Sequence, residues 1–401
     1  MFRVSRFMQE ILQPAPPARA AASAGPVVIW NLIRRCNLAC MHCYSISADI
    51  DFPGELQTAE VFAVMEDLKA FGVRALILSG GEPLLRKDLF DIAARGKALG
   101  FYLGLSTNGT LIDAPLAARI ADAGFDYVGI SLDGLQATHD RFRRKAGAFD
   151  ASLAALRRCR DLGVKVGVRF TLTQDNYADL PGLLELVEAE RFDRFYLSHL
   201  NYAGRGNVNR RHDAHLRVTR EALELLYARA WEYAQRGLHK EFVTGNNDAD
   251  GVYALHWARR NVAGFDEPRL RATLAAWGGN SSGVNVANID NLGNVHPDTM
   301  WWDCTLGNVR SRPFSAIWQD TRHPIMAGLK QRPRHVKGRC ASCAYFDVCG
   351  GNTRVRAMKV SGDPWAEDPA CYLDDDEIGV SGGGPRLTVT PYHRGARAAL
   401  G

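Results

Sequence analysis

Short apolar segments alternate with amphipathic segments along the first half of the chain, and this alternation constrains the fold more than any other feature. The apolar segments suit buried strands and lie at residues 27–33, 75–79, 101–106, 127–132, 164–172 and 194–200. Helical segments lie between them at residues 58–71, 89–99, 114–123, 149–162 and 180–189. Strands that alternate with helices build a parallel sheet covered by helices. Six units are fewer than the eight of a closed barrel, so we predict an α/β fold with a partial, TIM-like (β/α)6 barrel.

Beyond residue 203 the alternation stops. We predict helices at residues 219–236, 248–262 and 268–277, and a small hairpin formed by residues 284–288 and 294–296. The predicted division of the chain is an N-terminal linker or tail (1–24), a barrel core (25–215), a helical and hairpin connecting region (216–335), a cysteine-rich region (336–379) and a disordered tail (380–401).

Composition excludes several classes of protein. The hydrophobic fraction of 46% and the charged fraction of 23% are those of a globular chain. The net charge of +5 comes from scattered basic residues, so we expect no nucleic-acid partner. No apolar run approaches the ~20 residues of a membrane span, and the N-terminus lacks a secretory signal, so we expect no membrane partner and a cytoplasmic location. The clustered cysteines then indicate metal ligation rather than disulfides.

The first cysteine cluster follows the first predicted strand. Cys36, Cys40 and Cys43 have the spacing Cys-x3-Cys-x2-Cys on one loop, which can ligate three irons of a four-iron cluster and leave the fourth iron open. A zinc site more often uses paired Cys-x2-Cys or Cys/His ligands, with His42 as the fourth ligand here. We favour the iron–sulfur interpretation over the zinc interpretation.

This loop resembles the signature of the radical S-adenosylmethionine (SAM) superfamily. The resemblance implies that the open iron binds the methionine moiety of SAM and that reductive cleavage yields a 5′-deoxyadenosyl radical. It also implies SAM-binding roles for residues at the strand ends: the aromatic residue beside the adenine, the motif that receives the methionine ammonium, small polar residues near ribose and carboxylate, and an arginine that either pairs with the carboxylate or forms a salt bridge. In this chain those positions are Tyr44, Gly80, Gly81, Glu82, Pro83, Ser106, Asn108, Ser131 and Arg169.

A second cysteine cluster lies near the C-terminus, at Cys340, Cys343, Cys349 and Cys371. A zinc ribbon is the competing interpretation, but the spacing fits two Cys-x2-Cys pairs badly. The spacing resembles the auxiliary-cluster extension of radical SAM maturases, a small SPASM or twitch-like domain. Thr353 stands where the full extension has a further cysteine, so we predict one auxiliary [4Fe-4S] cluster and two clusters in all. Cys304 is a candidate replacement if Cys371 is not a ligand.

Over residues 1–380 the chain resembles the haem d1 biosynthesis branch of the superfamily, the NirJ family of denitrifying bacteria. Segments such as Leu197–Gly206, Thr244–Gly251 and His296–Trp302 carry this resemblance. It implies a tetrapyrrole substrate, didecarboxysirohaem, from which two propionate side chains are removed, and an external low-potential electron donor. Candidate substrate contacts are the basic, flat aromatic and iron-ligating residues Arg205, Arg210, Arg211, Trp257, Trp277, Trp301, Trp302, His212, His215, His256 and His296.

Two alternatives stay open at this stage. The nearer one is another radical SAM enzyme with one auxiliary cluster, either a haem-synthesis propionate decarboxylase or a peptide maturase. A peptide maturase would carry an N-terminal peptide-recognition module, and residues 1–24 are too short and too rich in Pro and Ala for one. The more distant alternative is a non-catalytic iron–sulfur scaffold or sensor, which would not need the Gly80–Pro83 motif after the second strand.

Overall fold

The computed structural model describes residues 1–13, 25–381, 386–389 and 391–392. Ten strands form one sheet in the order β10-β9-β8-β1-β2-β3-β4-β5-β6-β7. The strands are β1 (Val27–Asn31), β2 (Ala75–Ser79), β3 (Tyr102–Thr107), β4 (Tyr127–Ser131), β5 (Val166–Leu172), β6 (Arg194–His199), β7 (Glu241–Gly245), β8 (Val286–Ile289), β9 (Asn294–His296) and β10 (Gly307–Asn308). Strands β8 and β1 to β7 run parallel, whereas β9 and β10 are antiparallel to their neighbours.

The helices mostly pack against this sheet. They are α1 (Val4–Leu12), α2 (Thr58–Ala70), α3 (Leu89–Ala98), α4 (Ala114–Asp122), α5 (Gln136–Arg143), α6 (Ala148–Asp161), α7 (Leu180–Ala189), α8 (Gly204–Val208), α9 (Leu216–Gln235), α10 (Ala249–Asn261), α11 (Glu267–Trp277), α12 (Phe314–Gln319), α13 (Pro324–Lys330), α14 (Phe346–Cys349) and α15 (Arg354–Ser361). In the part of the chain described, none of them has the length and apolarity that crossing a bilayer requires.

The six predicted strands are confirmed as β1 to β6, with ends shifted by up to two residues. Most residues of β1 to β6 are buried, as their nearly continuous apolar runs predict. The predicted hairpin is confirmed as β8 and β9, but β8 also pairs in parallel with β1. Strand β7 was not predicted, and it extends the sheet beyond β6. The barrel sheet therefore continues past the predicted boundary at residue 215.

The predicted N-terminal tail is wrong for residues 1–12. Phe2 forms an antiparallel bridge with Thr244 of β7, and α1 packs against α9 with Phe7 and Met8 buried. Residues 14–24 of that segment lie outside the described residues. The predicted disordered tail is described only in part: Val380 is buried, and the backbone N–H of Leu387 donates to Glu367 at 2.6 Å.

Candidate active site

The three cysteines of the first cluster converge on the loop between β1 and α2. Cys36 and Cys40 are buried, Cys43 is half-buried, and the three pack together around Leu38 as free thiols. Backbone hydrogen bonds fix the loop at both ends of the cluster. The N–H of Cys36 donates to Ala48 at 3.0 Å, and the carbonyl of Cys43 accepts the N–H of Arg205 at 2.8 Å.

Burial and nearby cations set the charge of these thiols. Burial raises the pKa of Cys36 to about 12. Burial also raises the pKa of Cys40, against the opposing charge of Arg143. At Cys43 burial acts in the same direction, but the charge of Arg205 and hydrogen bonds to Ser45 lower the pKa overall. The buried Arg143 and the half-buried Arg205, placed beside these thiols, suit ligands that become thiolates when they bind iron.

Arg143, at the end of α5, links this loop to the end of β4. Its Nη1 donates to the Cys40 Sγ at 3.4 Å, and its Nη2 donates to Asp133 Oδ2. Asp133 is fully buried and accepts the backbone N–H of Thr171 at 2.7 Å. Burial would raise the pKa of Asp133, but Arg143 and His42 lower it overall. Asp133 is therefore an anion that fixes the cation facing Cys40.

Sequence reasoning missed this pair. The motif Ser131-Leu132-Asp133-Gly134 was recognised only for its position at a strand end, and helix α5 was not predicted. No sequence signal singled out Arg143, because the partners that make it important lie 10 and 103 residues away.

Arg205, in α8, holds the cysteine loop from the other side. Its Nε donates to the carbonyl of Cys40 at 2.7 Å, and its Nη1 donates to the carbonyl of Ser47 at 2.9 Å. Arg205 was interpreted as a substrate contact. The structure corrects this for Nε and Nη1, because both donate to carbonyls of the cysteine loop. Arg210 likewise donates to the carbonyl of Lys359 at 2.9 Å, whereas Arg211 is exposed.

The Gly80–Pro83 motif packs directly beneath the cysteine loop. The N–H of Gly81 donates to the carbonyl of Ile33 at 2.6 Å, and the N–H of Glu82 donates to the carbonyl of Arg35 at 2.8 Å. A Cβ at either glycine would clash with a loop carbonyl, so both glycines are required by close approach. Pro83 begins a short 3-10 turn.

The Glu82 carboxylate joins this motif to the end of β3. It is fully buried, and it accepts the Thr107 hydroxyl at 2.7 Å and the Asn108 N–H at 2.9 Å. Burial raises the pKa of Glu82, while these hydrogen bonds act against that rise. The Asn108 side chain in turn donates to Asn37 at 2.9 Å. Glu82 and Asn108 therefore order the cysteine loop, which the sequence did not indicate.

Ser106 and Ser131 lie at the carboxyl ends of β3 and β4, and Arg169 lies beside them in the middle of β5. The Arg169 guanidinium donates to the Ser106 hydroxyl and lies 5.4 Å from the ring centre of Tyr196. Ser131 is the register partner of Arg169 across the two strands. The side chains predicted for ribose and carboxylate thus form one polar group at the rim of the sheet.

Tyr44 lies at the same rim, after the last cysteine of the loop. Its hydroxyl accepts Asn31 Nδ2 at 2.8 Å, and Asn31 accepts Asn288 Nδ2 at 2.6 Å, which ties the loop to β1 and β8. Burial raises the pKa of Tyr44. The edge of its ring faces Trp302, with ring centres 6.2 Å apart.

Of the four candidate tryptophans, Trp302 alone contacts a predicted SAM-site residue within the described residues. Trp257 and Trp301 are buried, and Trp277 packs on Phe2 at 5.0 Å between ring centres. We therefore correct the assignment of those three tryptophans from substrate surface to packing.

Two of the buried histidines also have protein partners. His296 contacts the carbonyl of Cys304 at 2.9 Å and Asp290 at 3.3 Å, so both of its ring nitrogens are used. His199 contacts Asp250 at 2.9 Å.

The second group of cysteines surrounds a partly open cavity, called the auxiliary cavity below. Cys340, Cys343, Cys349 and Cys371 all line it. Burial raises the pKa of all four thiols, that of Cys371 to about 11. Cys304 instead packs with Trp301, Leu329 and Val355, so it is not a replacement ligand in this arrangement.

The geometry of both cysteine groups disfavours a single metal ion. Zinc ligands lie about 2.0–2.3 Å from the ion and therefore close to one another. Across the described ranges, no three His, Cys, Asp or Glu side chains are grouped closely enough to hold one ion. Four thiols spread around a cavity suit a larger group such as an iron–sulfur cluster.

Hydrogen bonds connect the region around the auxiliary cavity to the loops that follow β6 and β7. Arg356 of α15 donates to the carbonyl of Leu200, after β6, at 3.2 Å, and to that of Asn246, after β7, at 2.5 Å. Asn280 also links the two parts of the molecule. Its N–H donates to the carbonyl of Cys349 at 3.1 Å, and its Nδ2 donates to Asp248, after β7, at 3.2 Å. Both cysteine sites therefore belong to the face where the parallel strands end.

Comparison with known proteins identifies the family. Residues 30–187 match the model of the radical SAM superfamily. The chain is 55% identical over 393 residues to "Pre-heme d1 synthase" of Dinoroseobacter shibae, covering 98% of this chain and 97% of the relative. It is 44% identical over 358 residues to "Fe-coproporphyrin III synthase" of Methanosarcina barkeri, covering 88% and 89%.

Solved structures support the fold. SuiB of Streptococcus suis bound to S-adenosylmethionine superposes with a TM-score of 0.68 at 18% identity, covering 88% of this chain and 78% of that one. At 18% identity this similarity supports the fold alone, whereas the relatives with 55% and 44% identity show the family. The chain therefore belongs to the radical SAM superfamily and, within it, to the family of haem-synthesis enzymes that includes these two relatives.

Proposed function

We propose that this radical SAM enzyme acts in haem d1 biosynthesis and removes two propionate side chains from didecarboxysirohaem, on the way to the ring oxo groups. The observation that carries the proposal is the 55% identity to "Pre-heme d1 synthase" over 98% of the chain. It is supported by a rim that holds both cysteine groups, Tyr44 and Trp302 on one side of the sheet.

Cys36, Cys40 and Cys43 would hold the first [4Fe-4S] cluster, with SAM on its open iron. When bound, the cluster and SAM supply a 5′-deoxyadenosyl radical, which can abstract a hydrogen atom from a propionate carbon. The chain's own part is to hold the ligands: Arg143 and Arg205 place positive charge beside thiolates that would otherwise be costly to bury.

The rim residues would position SAM. The polar group of Ser106, Ser131 and Arg169 offers hydroxyls for ribose and a cation for the carboxylate. The close approach of Gly80 and Gly81 to the loop carbonyls would hold the Gly80–Pro83 motif beside the ligands of the first cluster. Tyr44 is held by Asn31, so its ring can form a wall for the adenine.

The substrate would enter above this rim, between the segment that contains Asp303 and the segment that contains Arg210. Lys359 of α15 contacts both segments. Trp302 supplies a flat surface next to Tyr44. The neighbouring Asp303 accepts Lys359 Nζ, while the carbonyl of Lys359 accepts Arg210 from the opposite segment. A large planar ligand matches the aromatic surface of Trp302, and its carboxylates would compete with Asp303 for Lys359.

Cys340, Cys343, Cys349 and Cys371 would hold a second [4Fe-4S] cluster. Four protein ligands leave no open iron, so this cluster would suit electron transfer to or from the substrate rather than binding of a small ligand. Its fastening to the loops after β6 and β7 supports that role, because it keeps the cluster at the rim where the substrate would lie.

A second candidate function is the formation of an iron coproporphyrin, as in the relative named "Fe-coproporphyrin III synthase". The 44% identity over 88% of the chain favours it over the peptide maturases, among which "PqqA peptide cyclase" of Granulibacter bethesdensis is 28% identical. Both candidates are tetrapyrrole reactions and share the same site.

The test is an anaerobic assay of the reconstituted, reduced protein with SAM and didecarboxysirohaem. We expect 5′-deoxyadenosine to form with the tetrapyrrole and the product mass to show the loss of two propionates. A product with the mass of Fe-coproporphyrin III would favour the second candidate, and nucleoside formed equally without any tetrapyrrole would refute the substrate class. Cys40→Ala should abolish nucleoside formation, whereas the matched control Cys159→Ala, which removes a buried thiol in α6, should not.

A further inference from the structure

Helix α15 carries two buried arginines that differ in their partners. Arg356 is fully buried and forms a bidentate pair with Asp368, at 3.0 and 2.8 Å. Arg354, two residues earlier, is equally buried, but its Nε and Nη1 donate only to backbone carbonyls, those of residues 352, 364 and 366 at 3.3, 3.1 and 2.6 Å. The charge of Arg356 is neutralised at short range, and that of Arg354 is not.

The third nitrogen of Arg354 has no partner. Among the residues that the structure describes, nothing accepts a hydrogen bond from its Nη2. The carboxylate of Asp363 feels the charge of Arg354 from farther away but is already paired with Lys337 Nζ at 2.6 Å. A buried cation without an anion is strongly unfavourable, so the protein is expected to supply a negative charge nearby.

The auxiliary cavity is the place where that negative charge would be. Arg354 is close enough to Cys340 for its charge to act on that thiol. Gly351, which lines the cavity, has no side chain to separate the two: a Cβ there would lie 3.7 Å from the Arg354 Cζ. A [4Fe-4S] cluster held by four thiolates is an anion, and reduction makes it more negative.

A second buried arginine, Arg334, donates to the carbonyl of Gly350, the residue that follows Cys349. Arg334 also donates only to neutral groups, including Asn280 Oδ1 at 2.8 Å and the carbonyl of Gly350 at 3.2 Å, next to Cys349. Arg334 and Arg354 are near enough to act on each other electrostatically. Asn280 connects Arg334 to the carboxylate of Asp248, which offsets part of its positive charge, so among the described residues Arg354 is the less compensated of the two cations.

We propose that Arg354 is the counter-charge of the auxiliary cluster and donates through Nη2 to the cluster or to the Cys340 thiolate, with Arg334 adding positive charge from the side of Cys349. Arg354 is then a positioning residue that makes reduction of the auxiliary cluster easier. The inference rests on the proposed second cluster, and its test separates the two.

The test uses the full-length chain with Cys36, Cys40 and Cys43 all changed to Ala, so that the auxiliary cluster is the one reconstituted. Iron and sulfide content are measured first, and the reduction potential is then titrated by electron paramagnetic resonance. In this background Arg354→Met should lower the equilibrium constant for reduction at least tenfold, which is about 59 mV for a one-electron couple. Arg354→Lys keeps the charge and should change the constant by less than tenfold.

Arg322→Met is the matched control, because it removes an arginine charge that is 82% exposed and paired with Asp320. Loss of the cluster in Arg354→Met but not in Arg354→Lys, with both proteins folded by circular dichroism, would also support the proposal. An unchanged potential in Arg354→Met, or loss of the cluster in both variants, would overturn it. If the background protein assembles no cluster at all, the proposed auxiliary cluster itself is refuted, and this inference with it.

Discussion

Replacing Asp133 by Asn tests whether the buried ion pair holds the first cysteine loop. Asp133 is 0% exposed, and its Oδ2 faces the guanidinium of Arg143, while its Oδ1 accepts the N–H of Thr171 at 2.7 Å. Asparagine preserves the shape and an oxygen for Thr171. It removes the negative charge and, when the amide nitrogen takes the place of Oδ2, sets a donor against a donor.

The expected cost follows from burial. Removing one partner of a buried ion pair costs about 3–5 kcal/mol, because the other charge is left uncompensated. The hydrogen bond from Thr171, worth about 1 kcal/mol, is retained and does not add to this loss. The Asp133→Asn apo protein should therefore be about 3–5 kcal/mol less stable than the wild type, and Arg143 should no longer be fixed beside Cys40.

Guanidinium chloride unfolding of the apo protein, followed by tryptophan fluorescence, measures this difference. Asp161→Asn is the control, because Asp161 is 65% exposed beside Arg160 and its pair should be worth less than about 1 kcal/mol. The double variant Asp133→Asn/Arg143→Met should recover part of the loss, since neither charge remains. A cost of Asp133→Asn no larger than that of the control, or a double variant whose losses simply add, would refute the reasoning.

Three further outcomes are expected. His139 is buried and accepts the N–H of Asp133 at 2.9 Å; burial lowers its pKa from 6.5 to about 4, so its neutral form is favoured in the folded state. His139 should then contribute about 3 kcal/mol to the fall in the free energy of unfolding of the apo protein as the pH drops from 6.5 towards 4. Burial lowers the pKa of His42 to about 4 as well, so His139→Gln should reduce the slope measured in urea titrations at several pH values without removing it; an unchanged slope contradicts the assignment. Gly81→Ala should block the docking of the motif on the Arg35 carbonyl and reduce iron bound at the first site, measured by iron content, and full iron loading would contradict this. Cys371→Ser should lose roughly half of the reconstituted iron while keeping the signal of the SAM cluster by electron paramagnetic resonance, whereas full iron content would exclude Cys371 as a ligand.

The sequence predicted the repeating half of the fold well because its periodicity is strong there. The six strands and the helices between them have continuous apolar runs or clear amphipathic spacing, and their positions were confirmed within about two residues. Strand β7 and helix α1 were missed because they lie outside the strand–helix alternation, not because of their length: β7 has 5 residues, as β1 has, and α1 has 9, as α4 has. Phe2 pairs with Thr244, which is far away in the chain, and no local sequence pattern predicts this pairing.

The site was predictable where a motif is local and unpredictable where it is assembled from afar. The spacing of Cys36, Cys40 and Cys43 is local, and the structure brings the three together. The cations beside them are not: Arg143 lies on an unpredicted helix, and Arg205 was assigned to the substrate. The sequence does not distinguish an arginine that binds a ligand from one that donates to a backbone carbonyl, because the difference lies in the acceptor and not in the arginine.

The pairing of β1 with β8 determines when the protein can complete its fold during synthesis. Ile29 and Asn288 are neighbours in the sheet but are 259 residues apart in the chain. Until the ribosome has made β8, the strand that leads into the first cysteine loop has an open edge, and open edges invite pairing with other chains. Contacts of such long range also slow folding. We therefore expect the first cysteine loop to reach its final geometry only after β8 has been synthesised.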